Sequence, residues 1–323
     1  MATLFSRRWA WPGELRRAGV LGMNRRNADY VMPHNPRVFY PRVDDKLMTK
    51  RVCEERGIPA PRTYATIAKQ GDIRHFAEIV AEHDEFVIKP TCGCEGRGIV
   101  VVAGRQGAEA FVTSSGEVYE PGDLRYHLSA ILSGLYSLGG QDDRAIVEQR
   151  ILRHPVFEQV AVGGTPDIRV ILYRCVPVMA MIRLPTRRSR GRANLHQGAV
   201  AAAIDLVTGR TYGGVCQGLT IAAHPDTGAA LAGLAVPAWP QILTAAMTLA
   251  DGLELGYVGV DFVLDATGAP VVLEANARPG LAIQIAHRQG LQSRLALVDA
   301  QPAEMLAPAR RMELVARLAA ACA

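Results

Sequence analysis

Long apolar runs are missing from this sequence of 323 residues. No stretch approaches the ~20 consecutive apolar residues that a membrane-spanning helix needs. Residues 1–17 mix arginine with tryptophan and proline, where a secretory signal needs an unbroken apolar segment. We therefore expect a cytoplasmic protein without a membrane span.

Cysteine and aromatic residues are also scarce. Six cysteines are too few for a disulfide scaffold in a chain of this length, and the close pair Cys92 and Cys94 offers only half of a four-ligand zinc site. Aromatic residues make up 6% of the chain, and none lies among the arginines of residues 185–194, which we call the basic loop. Because single-stranded nucleic acids are bound by aromatic stacking beside cations, we expect no nucleic-acid partner.

Lysine is the rare cation of this chain. Of 36 basic residues only Lys46, Lys50, Lys69 and Lys89 are lysines, and the rest are arginines. A lysine that persists in such an arginine-rich sequence indicates a place that needs a compact ammonium, such as a phosphate reached through a narrow approach. The net charge of +5 permits an anionic partner but does not identify one.

Hydrophobic periodicity divides the chain into short strands and helices after a proline-interrupted arm, which we expect to be extended or partly ordered. Predicted helices cover residues 45–56, 72–82, 122–138, 239–254, 281–297 and 303–321. Predicted strands cover residues 63–67, 85–89, 99–102, 145–152, 156–162, 168–175 and 178–184, followed by a hairpin over 259–276. The loop at 139–143 marks the expected boundary between two lobes. No internal repeat or low-complexity tract interrupts this organisation.

The segment 259–280 predicts a β-hairpin that brings two acidic residues together. A short turn that pairs Asp265 with Pro270 places Asp261 opposite Glu274 on the neighbouring strand. Two carboxylates in this position repel each other unless a cation lies between them.

Alternation of side chains puts Asp261, Glu274 and Asn276 on one face of this hairpin. The other face is expected to hold the apolar residues Val260, Phe262, Leu264, Val271, Leu273 and Ala275. Two acids and an amide oxygen suit Mg²⁺ bound together with a nucleoside triphosphate. The alternative is an exposed antiparallel sheet whose polar face meets solvent.

A glycine-rich loop, TCGCEGRG at residues 91–98, follows a buried-looking strand that ends at Lys89. Gly93, Gly96 and Gly98 allow the backbone to approach phosphates closely and to move as a lid. The loop is neither a Walker A motif nor a dinucleotide fingerprint, and an ordinary surface turn is the alternative interpretation.

These motifs, in this order, resemble the ATP-grasp superfamily, and in particular the alpha-L-glutamate ligase-like proteins related to the ribosomal protein S6 glutamate ligase. The resemblance covers roughly residues 20–297. It is carried by the strings PHNPRVFYPRVDDKLMTK (33–50), PDIRV (166–170), RLPTRRSRGRANLHQGAV (183–200) and LEANARPGLAIQIAHRQGL (273–291).

The resemblance implies an α+β fold in which two α+β lobes enclose ATP. The small lobe with the glycine-rich lid is then expected at 44–143, the C-terminal lobe with the metal site at 144–300 and a C-terminal helix at 301–323. ATP-grasp ligases commonly carry a full α/β domain ahead of these lobes, whereas here the arm 1–43 is a shortened segment. We expect the arm, a second protomer or a partner protein to complete the acceptor site.

The resemblance also implies roles for individual residues. Phosphates are expected to contact Lys46, Lys89, Arg192, Asn194 and the glycines at 93, 96 and 98. Gln149 and Arg150 are expected beside the adenine, and Asp167 near the ribose. Asp261, Glu274 and Asn276 would bind Mg²⁺, with Mn²⁺ as the alternative ion. In the family's motif the position of Ala193 is often serine, and this chain lacks that hydroxyl.

The implied chemistry is transfer of the γ-phosphoryl group of ATP to a carboxylate, followed by attack of an amine on the acyl phosphate. Arg169 and Arg192 are the candidates for stabilising the phosphoryl and tetrahedral oxygens, and Arg278 for clamping the substrate carboxylate. The expected substrates are a small molecule or peptide with a carboxylate and an amine acceptor, one of them glutamate or another amino acid.

Three alternatives stay open at this stage. The enzyme could use a sugar, thiol or phosphate acceptor, because the same nucleotide site supports those reactions. The chain could instead be a nucleotide-binding scaffold without turnover. The basic loop, with Arg187, Arg188, Arg190 and Arg192, either receives an acidic acceptor or is a solvated surface.

Overall fold

The computed structural model of the protein describes residues 10–93, 96–107 and 110–321. Cys94 of the glycine-rich loop, the start of the arm and the last two residues of the expected C-terminal helix lie outside the described residues. The strands are β1 (Thr63–Ile67), β2 (Phe86–Pro90), β3 (Val100–Gln106), β4 (Ala110–Thr113), β5 (Val118–Tyr119), β6 (Ala145–Glu148), β7 (Asp167–Tyr173), β8 (Val176–Leu184), β9 (Val200–Ile204), β10 (Thr211–Cys216), β11 (Leu219–Thr220), β12 (Tyr257–Leu264) and β13 (Pro270–Asn276).

The helices surround these strands. The α-helices are Pro12–Arg17, Met23–Arg25, Met32–His34, Pro41–Asp44, Lys46–Glu55, Phe76–Ile79, Pro121–Leu132, Trp239–Leu253, Ile283–His287, Gln292–Asp299 and Arg311–Ala321, with a π-helical turn at Arg26–Val31. Short 3-10 turns lie at Arg37–Phe39, Gln70–His75, Leu138–Gly140, Pro155–Phe157, Leu195–Gln197, Ala303–Leu306 and Pro308–Arg310. Within the described ranges, no helix is long and apolar enough to cross a membrane.

The strands form two antiparallel sheets, and the expected α+β class is confirmed. The first sheet has the order β1-β6-β2-β3-β4-β5 and its own apolar core. Strand β6 therefore belongs to the first sheet, where it pairs with β1 and β2. The boundary expected at residue 143 comes one strand too early, because β6 follows that loop in the sequence but inserts into the earlier sheet.

The second sheet has the order β11-β10-β9-β8-β7-β12-β13 and packs with the helices around it into the larger core. Helix Trp239–Leu253 buries an apolar stripe in that core, as its spacing of apolar residues predicts. Helix Lys46–Glu55 begins at the cap residue Asp45, whose side chain accepts from the N–H of Leu47 at 2.9 Å. Its residue Cys53 lies in the larger core, so this helix packs with the second sheet.

The arm, whose sequence predicts an extended or partly ordered segment, is largely helical in its described part. Pro12, Pro33 and Pro41 stand in the first turn of helices, where a missing N–H costs nothing. Buried Asn35 fixes the arm to the second sheet: its amide donates to the Tyr257 carbonyl at 2.7 Å, and its oxygen accepts from the Tyr257 N–H at 2.8 Å.

Two other predicted elements differ from the structure. Residues 156–162 form a 3-10 turn and loop in place of a strand, because Pro155 starts a turn capped by His154. The helix predicted over 281–297 is broken in two. The first helix ends at His287, because the next residue, Arg288, has a left-handed φ of 54°. Gly290 in the connection lies against Gly19, where a Cβ would be 1.9 Å from the backbone.

Buried His287 joins the helix Ile283–His287 to the second sheet. Its Nε2 donates to the Ala180 carbonyl at 2.6 Å, so its Nδ1 accepts from the Tyr212 hydroxyl at 2.6 Å. Burial lowers the pKa of His287 to about 3. The neutral imidazole is therefore the form that the fold requires.

We expect this histidine to weaken the fold in acid. Between pH 6.5 and 3 this histidine is protonated in the unfolded chain but neutral in the folded protein. The free energy of unfolding therefore falls as the pH drops, by up to about 1.4 kcal/mol per pH unit. His287→Gln keeps an amide donor and acceptor but cannot titrate. Urea unfolding from pH 4 to 6.5 is expected to give a flatter pH dependence for the variant, and equal slopes would contradict this assignment.

Candidate active site

The hairpin β12–β13 has the predicted pairing of Asp261 with Glu274, but it reaches this register through a bulge. At the turn, Leu264 pairs with Pro270, which is one residue out of step with the prediction. The register shifts by one residue between Asp261 and Phe262, and this shift restores the pairing of the two acids.

The bulge also changes which residues of β13 face the core. Val272, which pairs with Phe262, joins the larger core. The expectation that Val271 and Leu273 fill this apolar face is therefore wrong. Nearer Asp261 the predicted alternation holds, because Val260 and Ala275 both lie in that core.

Asp261 is buried and is bound by two arginines. Arg169 on β7 donates from Nε to Oδ1 at 2.7 Å and from Nη2 to Oδ2 at 2.5 Å. Arg183 on β8 donates from Nη2 to Oδ2 at 3.0 Å. Burial opposes ionisation of this carboxyl, but the two guanidiniums outweigh it and lower the pKa of Asp261 to about 2.

Asp167 belongs to the same cluster. Both of its carboxylate oxygens accept hydrogen bonds from Arg183, which thus links it to Asp261. Burial raises the pKa of Asp167 to about 6, and the negative charge of Asp261 adds to that rise against the pull of Arg183. We refer to Asp167, Arg169, Arg183 and Asp261 as the acid–arginine cluster.

The donor set on the hairpin suits a magnesium ion. Glu274 and Asn276 are half-buried, and the Asn276 amide donates to Glu274 Oε1 at 3.3 Å. Asp261 accepts three hydrogen bonds from its arginines, while a carboxylate has about four lone-pair directions, so it keeps accepting capacity. Among the described residues no three His, Cys, Asp or Glu side chains gather as a metal site. Two carboxylates and an amide fit an ion that retains water and phosphate oxygens as ligands.

Lys46 connects this hairpin to the glycine-rich loop. Its Nζ donates to the Gly93 carbonyl at 2.8 Å and to the Thr91 carbonyl at 3.4 Å. Burial lowers the pKa of Lys46, while the nearby Glu274 carboxylate raises it and the nearby Lys89 lowers it further. The structure therefore brings Lys46 within electrostatic reach of both Lys89 and the hairpin residue Glu274.

Lys89 lies in a buried ion-pair network. Its Nζ contacts Glu148 Oε1 at 2.6 Å, and Lys50 Nζ contacts Glu148 Oε2 at 2.5 Å. Lys50 also donates to the Pro61 carbonyl at 2.7 Å. One carboxylate thus contacts two ammonium groups, so the network has one positive charge that Glu148 does not neutralise.

The base of the glycine-rich loop is held by Asp143. This carboxylate accepts from the Thr91 hydroxyl at 2.5 Å, from the Ser137 hydroxyl at 2.6 Å and from the Cys92 N–H at 3.1 Å. Burial alone would raise the pKa of Asp143, but these hydrogen bonds lower it. These hydrogen bonds therefore fix the position of the first residues of the loop, Thr91 and Cys92.

Glycine is required at two positions of this loop. A Cβ on Gly93 would lie 2.2 Å from the Pro90 ring, and one on Gly98 would lie 2.6 Å from the Tyr136 ring, where φ is also +74°. Gly96 has a φ of +72° in open space. Gly93 and Gly98 therefore leave no room for a side chain against Pro90 and Tyr136.

The remaining sequence-predicted residues have described partners other than the acid–arginine cluster. The Gln149 N–H donates to the Arg62 carbonyl at 2.8 Å, and Arg150 pairs with Glu85 at 2.9 Å. Exposed Arg192 reaches the Gln197 side chain at 3.4 Å. Asn194 accepts from the His196 N–H at 2.9 Å, and exposed Arg278 lies 5.4 Å from the Tyr40 ring centre.

Sequence reasoning missed Arg183, Glu148 and Asp143 as members of the site. Arg183 and Glu148 are the charged residues of otherwise apolar strands. That isolation is the signal that could have found them, because a charge in a buried strand needs a partner. Asp143 has no such signal, since it lies in a polar loop.

One comparison with known proteins identifies a family. A family model described as "Sugar-transfer associated ATP-grasp" matches residues 25–300. A comparison with curated proteins finds no match.

Solved structures resemble the chain only distantly. D-alanine–D-alanine ligase from Bacillus anthracis is 14% identical, with a TM-score of 0.46 over 88% of this chain and 68% of that one. D-cycloserine synthetase DcsG is 16% identical, with a TM-score of 0.41 over 88% and 73%. L-amino acid ligase from Bacillus licheniformis is 14% identical, with a TM-score of 0.42 over 82% and 48%.

Proposed function

Because the chain belongs to the sugar-transfer associated ATP-grasp family, we propose that it is an ATP-dependent ligase that joins a carboxylate to an amine. The observation that best supports this proposal is the pairing of Asp261 with Glu274 on one face of a hairpin, within electrostatic reach of Lys46. Opposed acids beside a buried ammonium suit a magnesium nucleotide, whose charges complement both.

The chain's own residues would bind and orient the nucleotide. Glu274 and Asn276, with the remaining lone pair of Asp261, would hold Mg²⁺ or Mn²⁺, which supplies charge neutralisation to the phosphates when bound. Lys46 and Lys89 would contact the phosphates beneath the glycine-rich loop. Both ammonium groups already point to carbonyl or carboxylate oxygens of this region, so phosphate oxygens would replace partners of the same chemistry.

The roles of the other predicted residues belong to the same proposal. Gln149 and Arg150 would flank the adenine, Asp167 would approach the ribose, and Asn194 would contact phosphate. Arg169 is buried and aimed by Asp261, so its guanidinium is preorganised for developing negative charge. Exposed Arg192 and Arg278 would meet the substrates as they enter.

The reaction proceeds in two balanced steps. A substrate carboxylate oxygen attacks the γ-phosphorus of ATP, and the bond from this phosphorus to the β,γ-bridging oxygen breaks. ADP is released, and the substrate becomes an acyl phosphate. The amine nitrogen then attacks the acyl carbon, phosphate leaves, and the amine loses a proton as the amide forms. No side chain serves as a nucleophile, so positioning and charge neutralisation supply the catalysis. We propose glutamate or another amino acid as one substrate.

The description of the family favours a second candidate, in which the carboxylate or amine is carried on a sugar. The same nucleotide site would serve that reaction, because only the acceptor changes. ADP release should be measured with the purified protein, Mg·ATP and pools of amino acids, acidic peptides, amino sugars and sugar acids, followed by mass spectrometry of the products. Amide formation in one pool is expected. ATP binding without ADP release in any pool would contradict a ligase and favour a scaffold.

Lys89→Ala is expected to remove most of the stabilisation that Mg·ATP gives to the folded protein. Glu148 keeps Lys50 as a partner, so the variant should fold. Thermal unfolding with and without Mg·ATP reports the change, because a ligand that binds only the folded state raises the Tm. Lys69→Ala, an exposed lysine elsewhere, is the matched control. Equal shifts in the two variants would remove Lys89 from the phosphate site.

A further inference from the structure

The basic loop is a built structure, held in place by buried hydroxyl groups. The Thr186 N–H donates to Ser189 Oγ at 2.9 Å, and the Ser189 N–H donates to Thr186 Oγ1 at 3.0 Å. The Thr186 hydroxyl also donates to the Gly198 carbonyl at 2.9 Å. Between these two residues, the Arg187 N–H donates to the Asp226 carboxylate at 2.7 Å. These contacts argue against a freely solvated loop, because they fix the backbone from which its arginine side chains extend.

An open cleft of about 480 Å³ lies beside this loop. Its walls are Arg188 from the basic loop, the turn Leu195–Gly198, the end of β10 with Gln217, and the start of helix Ile283–His287. The apolar part of the wall consists of Leu195, Val215, Ala282 and Ile285. A volume of this size suits a small organic molecule with an apolar portion.

Arg188 gives the cleft its charge. Its stem packs over Gly198, where a Cβ would lie 3.0 Å from the Arg188 Cγ and Cδ atoms. Its guanidinium nitrogens lie 2.6–3.1 Å from the Gln217 side-chain oxygen in the amide orientation that satisfies both groups. Among the described residues that line the cleft there is no aspartate or glutamate. A neutral amide orients this guanidinium without cancelling its charge, which leaves it able to bind an oxyanion.

The cleft opens on the face of the second sheet that carries the acid–arginine cluster. Arg183 pairs with Ala201 on β9, and Ala201 pairs with Val215 on β10, so Val215 shares the face of Arg183. Helix Ile283–His287 packs on this face as well, through the contact of His287 with Tyr212. A molecule in the cleft would therefore lie on the same side of the sheet as the proposed nucleotide site.

We propose that this cleft binds the oxyanion of one of the two molecules that the enzyme joins, a carboxylate or phosphate on a body the size of an amino-acid derivative or a monosaccharide. Arg188 is then a specificity-determining residue, and Gln217 positions it. This inference rests on the proposed function, because it takes the cleft as a substrate subsite of that reaction.

Saturation-transfer NMR tests the cleft without requiring turnover. N-acetyl-L-glutamate and glucose 6-phosphate serve as anionic probes from the two sources, and glucose is the neutral probe. We expect at least one anionic probe to bind the wild-type protein and Arg187→Gln, a neighbouring control, and to bind Arg188→Gln at least about tenfold more weakly. The probe that binds identifies a carboxylate or a sugar phosphate as the source. Glucose should give the weakest signal.

Two results would overturn this inference. One is the absence of binding by both anionic probes, and the other is equal binding by the wild-type protein and Arg188→Gln. Thermal unfolding of the same samples with Mg·ATP reports the nucleotide site separately. An ATP-induced shift together with equal anion binding would reject the cleft alone, whereas the absence of any ATP-induced shift would reject the proposed function itself.

Discussion

Glu274→Gln is expected to lower ADP formation by at least about 100-fold while the protein keeps its fold. The substitution removes one negative charge from the proposed ion site, and the loss of a metal's charge stabilisation costs several kcal/mol of transition-state binding. Glu274 is half-buried, and its described partners are the amide of Asn276 and the carboxyl group of Asp261, so glutamine can occupy the same space and contact both. The measurement is the rate of ADP release at saturating Mg·ATP with the substrates found in the screen.

The control for this substitution is Glu54→Gln, at an exposed position on the helix Lys46–Glu55. It removes the same charge from the protein at a distance from the hairpin face. Circular dichroism and thermal unfolding of both variants should match the wild type. If Glu274→Gln released ADP at the rate of the control, the hairpin would not hold the ion.

Asp261→Asn is expected to have a different result, because it should destabilise the fold itself. Asp261 accepts three hydrogen bonds from Arg169 and Arg183, and its side chain is 2% exposed. Loss of this carboxylate leaves the two guanidiniums with Asp167, and with the nearby Glu274 carboxylate, as counter-charges. Breaking a buried pair by removing one partner typically costs 3–5 kcal/mol, so we expect the free energy of unfolding to fall by about 3 kcal/mol or more.

Urea unfolding measures this change, and exposed Asp142→Asn is the matched control. Wild-type stability in Asp261→Asn would show that the arginines need no buried counter-charge, which would contradict the described cluster. The pair of variants at 261 and 274 therefore separates two roles on one hairpin. We expect Asp261 to support both the fold and the proposed site, and Glu274 to be needed for the proposed chemistry.

The hairpin shows how far the sequence can predict the site. Alternation and a short turn were enough to place Asp261 opposite Glu274, although the true register passes through a bulge that the sequence does not signal. Local patterns also found Lys46 and Lys89, because rare lysines stand out in an arginine-rich chain. They could not show that Lys89 contacts Glu148, since β6 joins its sheet out of sequence order.

The same limit applies to the arginine partners and to the arm. Arg169 and Arg183 meet Asp261 only because β7 lies next to β12, which is far away in sequence, and β8 lies next to β7. The prolines of the arm predict an extended or partly ordered segment. Its prolines instead begin helices, and burial of Leu21 and Tyr30 in the larger core stabilises them. Long-range packing decided both points, and no local pattern reports it.

The fate of the substrate oxygen tests the central claim most directly. The protein would be incubated with Mg·ATP and the active pool, whose carboxylates carry oxygen-18, and the released phosphate analysed by mass spectrometry. Passage through an acyl phosphate transfers one carboxylate oxygen to the released phosphate. We therefore predict one molecule of labelled phosphate for each molecule of ADP formed. Release of ADP with unlabelled phosphate would contradict the account.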